Sequence, residues 1–220
     1  MKLAFRPEAV VFDMDGLLFD TEVIVRDAIA AAGPQLGFAV PHSLFLSLLG
    51  LSSDASRVKL LEHYGSSFDV GAFWAAVGTH YNRLKDERHY LKAGVVELLD
   101  WLDAQRIPRA IATSSQPPSV QRNLAKHDLT GRFDVIVAHG DCEFGKPHPA
   151  PFLTAAHKLQ VDPARCLALE DSYNGVRAAH AAGMMTIMVP DLLEPTDDIV
   201  ALCVTVASDL HRVRDLLTHC

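Results

Sequence analysis

The sequence predicts an α/β fold, a doubly wound parallel sheet of the Rossmann-like kind, interrupted near its start by a helical insertion. Three observations carry this. Short apolar runs without polar alternation recur along the chain, and the segments between them show helical periodicity. The interval of about 75 residues after the first run holds helix signals and no convincing strand.

The first run, residues 9–12, ends in Asp13. In the interval that follows, Val58, Leu61 and Tyr64 form one helical stripe closed by Gly65. Phe73, Val77, Tyr81 and Leu84 form another, opened by Asp69 as a cap. Structureless connections beyond about 15 residues are uncommon, so the interval is expected to be a compact helical domain. Its place is 19–92, which leaves 1–18 and 93–220 as the α/β core. After it, Val95, Leu98, Leu99 and Leu102 keep one helical face, and residues 109–112 form a strand ending in Thr113. Pro117 or Pro118 opens the next helix. Further strands are expected at 134–138, at 166–169 ending in Glu170, and at 185–189. An Ala-rich helix over 174–182 stops at Gly183.

Composition narrows the function classes. The 220 residues are 49% apolar and 21% charged, which suits a globular chain rather than a disordered one. Twenty Lys plus Arg against 27 Asp plus Glu give a net charge of −7, and such a surface offers no footprint for a nucleic-acid polymer. The longest stretch without a charged residue, 28–53, is broken by Gly33, Pro34, Gly37 and Pro41 into pieces too short to span a membrane. Arg6 and Glu8 stand where a signal peptide would be apolar, so the expected location is cytoplasmic, with a monomer as the default state. Cys142, Cys166, Cys203 and Cys220 show no CxxC pairing and are expected as reduced, mostly buried thiols. The eleven histidines lack close ligand spacing and are expected mostly on the surface.

Ligands of open parallel sheets bind beyond the carboxyl ends of the strands. There the sequence puts Asp13, Asp15, Thr113, Ser114, Glu170 and Asp171, with Lys146 after the fourth segment. Two carboxylate pairs converging in one crevice call for a hard divalent cation with oxygen ligands, most simply Mg²⁺. A lysine beside them would bind phosphate oxygens. Each fragment has an ordinary structural explanation by itself: Asp-x-Asp-Gly as a turn, Glu170-Asp171 as the start of a helix. Their joint occurrence in this order is what points to chemistry.

Asp13-Met14-Asp15-Gly16, Thr113, Lys146-Pro147 and Glu170-Asp171-Ser172 with Gly175 resemble, in order and spacing, the four motifs of the haloacid dehalogenase superfamily. The segment 12–22, closed by Asp20-Thr21-Glu22, is similar to the branch that contains β-phosphoglucomutase and related phosphatases. The resemblance covers nearly the whole chain. It implies a helical cap domain over an α/β core and a nucleophile at Asp13 that forms an aspartyl phosphate. Asp15 is implied as general acid and base, and Lys146 as the charge that orients Asp13 and neutralises phosphate. Gly16, Thr113, Ser114 and Lys146 are implied to hold phosphate. Asp13, Asp15 through its main-chain carbonyl, Glu170 and Asp171 are implied to hold Mg²⁺. The implied partner is a small phosphorylated metabolite, a sugar phosphate, nucleotide or similar.

Asp15 argues against a dehalogenase, because a departing halide needs no proton. A β-phosphoglucomutase-type mutase must grip a second phosphate, and its loop pattern has arginine where Ser53 stands in Gly50-Leu51-Ser52-Ser53-Asp54. Arg57, Lys59 or Lys85 would have to compensate. A phosphatase is therefore the favoured reading, with the mutase as its alternative. In another class stands a phospho-receiver signalling module, which shares the acidic cluster, Thr and Lys but lacks a helical insertion. One departure concerns Ala150, which stands where the motif usually continues with a helix-capping Asp, with Pro151 suited to a first helical turn. His148 is expected as a loop imidazole in solvent.

Overall fold

The computed structural model describes residues 3–48, 51, 53–88 and 90–220. The first strand, β1 (Ala9–Phe12), is buried along its whole length, as expected for a central strand without a polar face. Four helices follow: α1 (Thr21–Gln35), α2 (His42–Leu48), α3 (Ser53–Tyr64) and α4 (Val70–Glu87). Then come α5 (Val95–Gln105), β2 (Arg109–Ala112), α6 (Pro117–Lys126), β3 (Val135–Val137) and α7 (Ala150–Leu159). The chain closes with β4 (Cys166–Glu170), α8 (Tyr173–Ala181), β5 (Met185–Met188), α9 (Asp197–Val200), β6 (Thr205–Val206) and α10 (Leu210–Thr218). Two compact units result, Met1–Phe19 with Leu91–Cys220, and Asp20–Tyr90.

In the first unit all six strands are parallel, in the order β3-β2-β1-β4-β5-β6. The chain winds outward from β1 through β2 to β3, then returns to lay β4 on the other side of β1. Phe12 is in register with Ile111 on one side and Leu169 on the other. This reversal opens a crevice beyond the carboxyl ends of β1 and β4, the usual ligand position in such sheets. One core face is built of small residues, with Ala110, Ala112, Ala155, Ala168 and Ala178 closing around Phe152 of α7. Where the chain leaves and re-enters this unit, the Lys92 amide donates to the Leu18 carbonyl (2.9 Å) and the Lys92 ammonium pairs with Asp191 (2.6 Å).

The helical unit is held by α1 along α4 and by an aromatic group in which Tyr64 stacks on Phe68 (4.5 Å) and Phe38 meets Phe68 edge-on (5.2 Å). The Asp69 carboxylate accepts from the Ala72 amide (2.9 Å), so it caps α4 as the sequence indicates. The stripe expected on α3 is corrected. Val58 is 54% exposed, whereas Leu60 and Ser56 are buried. Leu61 and Tyr64 are half-buried, so the expected stripe fails at Val58 alone; the inward face continues through Leu60 and Ser56, and the serine in it hides that face from a pattern sought in apolar residues. Gly50 and Ser52, singled out in the sequence, lie outside the described residues, as does the Ser53 side chain.

Other expectations shift by smaller amounts. The strand expected over 134–138 is shorter, because the Asp134 carboxylate accepts from the Arg109 amide (2.8 Å) and the Ala138 amide turns to Asp141 (2.9 Å). β6 was not foreseen, since two half-buried residues at a sheet edge leave no periodic signal. Of the four thiols only Cys166 is fully buried, and burial pushes its pKa up to about 11. Cys142 and Cys203 are half-buried and Cys220 is exposed, so "mostly buried" is corrected. Most described histidines are exposed, with His127, its ring tilted against Phe19 at 5.1 Å, the buried exception. Among the described residues no helix is long and apolar enough to cross a membrane.

The corrected α3 face yields a stability test by urea unfolding followed through Trp fluorescence. Leu60→Ala should cost about 2 to 5 kcal/mol, the usual range for emptying a fully buried leucine site. Val58→Ala should stay within about 0.5 kcal/mol of the parent. Equal effects would return Val58 to the inward face.

Candidate active site

Asp13 is the first residue past β1, and its amide donates to the Leu169 carbonyl of β4 (2.9 Å). The ladder therefore runs one residue beyond the strand and fixes Asp13 at the crevice. The chain then reverses: Gly16 adopts φ +86°, its amide bonds the Phe19 carbonyl (2.8 Å), and the Leu18 amide bonds Met14 (2.9 Å). Glycine is required at 16 twice over. Its left-handed backbone disfavours a side chain, and an added Cβ would run into the Asp171 carboxylate.

Glu170 is the last residue of β4 and is fully buried. One carboxylate oxygen, Oε2, accepts from the amides of Asp171 (3.1 Å) and Ser172 (3.2 Å) and from the Ser172 hydroxyl (3.0 Å). The same hydroxyl accepts from the Gly175 amide (3.1 Å) and so caps α8. A helix N-terminus is a favourable place for an anion. Gly175 is dictated by the same packing, because a Cβ there would overlap the Glu170 carboxylate.

The other oxygen, Oε1, pairs with the Lys146 ammonium (2.5 Å), which also bonds Asp13 Oδ1. The Lys146 side chain is only 7% exposed and lies over the Phe152 ring at 5.1 Å from its centre. Its loop leads into α7, whose missing aspartate cap is replaced by His148: Nδ1 accepts from the Ala150 amide (3.2 Å), and the ring tilts against Phe144 (4.8 Å). His148 is an exposed loop imidazole, as expected, and its bond to the Ala150 amide gives it a local structural role besides.

Asp13, Glu170 and Asp171 bring one carboxylate oxygen each within 4.8 Å of one another, all three residues buried. Burial raises the Asp13 pKa to about 8, opposed by Lys146 and reinforced by the charges of Glu170 and Asp15. Burial also works against the Lys146 charge, but the two carboxylates outweigh it and hold that pKa above its ordinary value. Three buried carboxylates facing one buried ammonium leave an uncompensated negative charge. An all-oxygen, anionic donor set of this kind fits a hard divalent cation.

At the end of β2, Thr113 is buried and its hydroxyl oxygen accepts from the Ser115 amide (3.0 Å). Thr113 and Ser114 border a hollow of about 240 Å³ lined also by Ala138, His139, Phe144 and Pro151. The Asp15 carboxylate is half-buried and accepts from the Ser115 hydroxyl (2.6 Å). Of the residues singled out in the sequence, Asp13, Lys146, Glu170 and Asp171 thus form one bonded cluster with Gly16 against it. Asp15, Thr113 and Ser114 belong to the neighbouring loop pair. Ser115 carries no signal in the sequence beyond its place just after the β2 strand end. Its partner lies 100 positions away, and no local pattern announces such a pair.

Comparison with known proteins adds to this geometry. A family model described as haloacid dehalogenase-like hydrolase matches residues 10–189. A phosphorylated carbohydrates phosphatase of Thermotoga maritima is 32% identical over 180 residues, 82% of this chain and 83% of that protein. A probable pseudouridine-5'-phosphatase of Drosophila melanogaster is 34% identical over 190 residues, 82% of this chain and 80% of the other. Among solved structures, a putative β-phosphoglucomutase from Thermotoga maritima superposes with a TM-score of 0.80 at 28% identity, over 96% of this chain and 98% of that one. A match running through the helical unit leaves the phospho-receiver alternative without support.

The raised Asp13 pKa gives a pH-dependent prediction for metal-free protein. Below pH 3.8 the group is protonated folded and unfolded, so it costs nothing. Between 3.8 and about 8 the folded state binds more protons, and stability falls as pH rises. In EDTA, Asp13→Asn should therefore melt higher than the parent near pH 8, with the gap closing towards pH 4. Adding Mg²⁺ should raise the parent's melting temperature more than the variant's. Parallel melting curves across that range would contradict this account.

Proposed function

The chain belongs to the haloacid dehalogenase-like hydrolase family and is a phosphatase, and from that premise we propose that it hydrolyses the phosphomonoester of a small phosphorylated metabolite through an aspartyl phosphate on Asp13, with Mg²⁺ as cofactor. The observation that carries the reading is the Asp13–Lys146–Glu170 cluster, in which a buried carboxylate at a strand end is oriented by an ammonium. A carboxylate nucleophile splits one difficult displacement into two easier ones.

Asp13 attacks phosphorus, and the ester P–O bond breaks. Asp15 gives a proton to the leaving oxygen, then takes one from the water that attacks the aspartyl phosphate, returning Asp13 and releasing phosphate. Lys146 holds Asp13 in line and neutralises phosphate oxygens, with Gly16, Thr113 and Ser114 supplying further donors. Asp13, Asp15 through its main-chain carbonyl, Glu170 and Asp171 would hold Mg²⁺, which offsets the repulsion between an anionic nucleophile and a phosphate dianion. The helical unit 20–90 is the candidate cap that excludes bulk water and selects the leaving group.

The substrate class takes support from the relatives, one named for phosphorylated carbohydrates and one for pseudouridine 5'-phosphate. A sugar-borne phosphomonoester, free or in a nucleotide, is the shared chemistry. Water is favoured as the acceptor over a second sugar phosphate, because Ser53 replaces the arginine that would grip a bisphosphate and Asp54 adds negative charge beside it.

Asp13→Asn should lower turnover of 4-nitrophenyl phosphate with Mg²⁺ on the order of 10³-fold or more. Rates near the parent's would rule out Asp13 as nucleophile. A panel of sugar phosphates and nucleotides, including β-glucose 1-phosphate with its 1,6-bisphosphate, should show phosphate release as the main product. Formation of glucose 6-phosphate without phosphate release would favour the mutase instead.

A further inference from the structure

The hydroxyl of Ser115 stands at a junction that the proposed chemistry does not use. Its amide donates to the Thr113 hydroxyl oxygen (3.0 Å), its carbonyl accepts from the His139 amide (3.0 Å), and the Thr113 amide is tied to Val137 of β3 (2.9 Å). Serine 115 is therefore pinned from both sides of its backbone by the ends of two sheet strands. From this fixed point the hydroxyl donates to Asp15 Oδ2 at 2.6 Å, joining the loop after β1 to the loop after β2. Asp15 sits on a tight reversal closed by Gly16, and the residue is half-buried.

We propose that Ser115 is a positioning residue for Asp15, holding its carboxylate in the orientation needed for proton transfer to the leaving oxygen. The proposal rests on the acid–base reading of Asp15. A half-buried aspartate has two torsions to restrain, and a short bond from a rigid donor restrains both. A hydroxyl suits a group that gains and loses a proton within one catalytic cycle. It donates to either oxygen of the carboxylate, donates to the carbonyl oxygen of the acid, or accepts from its O–H. A lysine or an amide N–H donates only and would favour one state. Misplacing a reacting group by about 1 Å costs on the order of 10²-fold, so a restraint of this kind has a measurable effect.

The test uses full-length protein with Mg²⁺ and a series of aryl phosphates from 4-nitrophenyl to phenyl, read as kcat/KM, together with inhibition by inorganic phosphate. For Ser115→Ala the expected loss is about 10-fold on phenyl phosphate and about twofold or less on 4-nitrophenyl phosphate, with phosphate inhibition unchanged within about twofold. Ser115→Thr, which keeps the hydroxyl, should stay within about threefold of the parent across the series. In an Asp15→Asn background, Ser115→Ala should add no further dependence on the leaving group. An even loss across the series, or weakened phosphate inhibition, would overturn the proposal and make Ser115 a structural or phosphate-binding residue. The Asp15→Asn single variant separates the two levels. If its own loss is even across the series, the acid role of Asp15 fails and the proposal goes with it. If its loss is steep while that of Ser115→Ala is flat, the positioning role alone fails.

Discussion

The ammonium of Lys146, buried between Asp13 and Glu170, is the interaction on which the surrounding structure depends. Charges withdrawn from water are tolerated only where partners and hydrogen bonds replace the lost solvent. Glu170 meets that demand completely, with Oε1 on Lys146 and Oε2 on two amides and a hydroxyl at the start of α8. Asp13 meets it only in part, which is why its pKa rises rather than falls beside a cation. The imbalance is what fits this carboxylate set to a hard divalent cation.

The demand propagates into backbone geometry. Glu170 lies so close to the start of α8 that residue 175 has no room for a Cβ, and Asp171 does the same at residue 16. These glycines are consequences of the carboxylates. Sheet topology sets the other half of the arrangement, because β1 and β4 are neighbours at the point where the winding reverses. Their ends deliver Asp13 and Glu170 to one crevice, while the β3–α7 connection brings Lys146 back over it. The position of His148 follows the same economy of local bonds: a loop imidazole caps the helix whose usual aspartate is missing.

The helical unit obeys different rules. Its buried residues are mostly aliphatic, among them Ile24, Ile29, Leu60 and Val77, with the half-buried rings of Phe38, Tyr64 and Phe68 gathered near buried Phe73, whereas the sheet unit fills one face with alanines. Small residues let helices lie close on a sheet that must hold side chains to sub-ångström tolerance.

The sequence by itself determined the sheet strands that are buried on both faces, the helices with full-length apolar stripes, and the set of acidic and basic residues at strand ends. Those features are local: an apolar run such as 9–12, or a cap such as Asp69, carries its reason within a few positions. The burial of Ser56 and Leu60 on α3 and the two-residue β6 are not legible in the sequence, because a serine or a short edge leaves no periodic trace. Only the tertiary structure decided which oxygen of Glu170 meets Lys146, why Gly16 and Gly175 cannot carry side chains, and that Ser115 bonds Asp15 across 100 positions. Such pairings arise from strand order and loop approach in space, and a linear pattern records the residues without recording their distances.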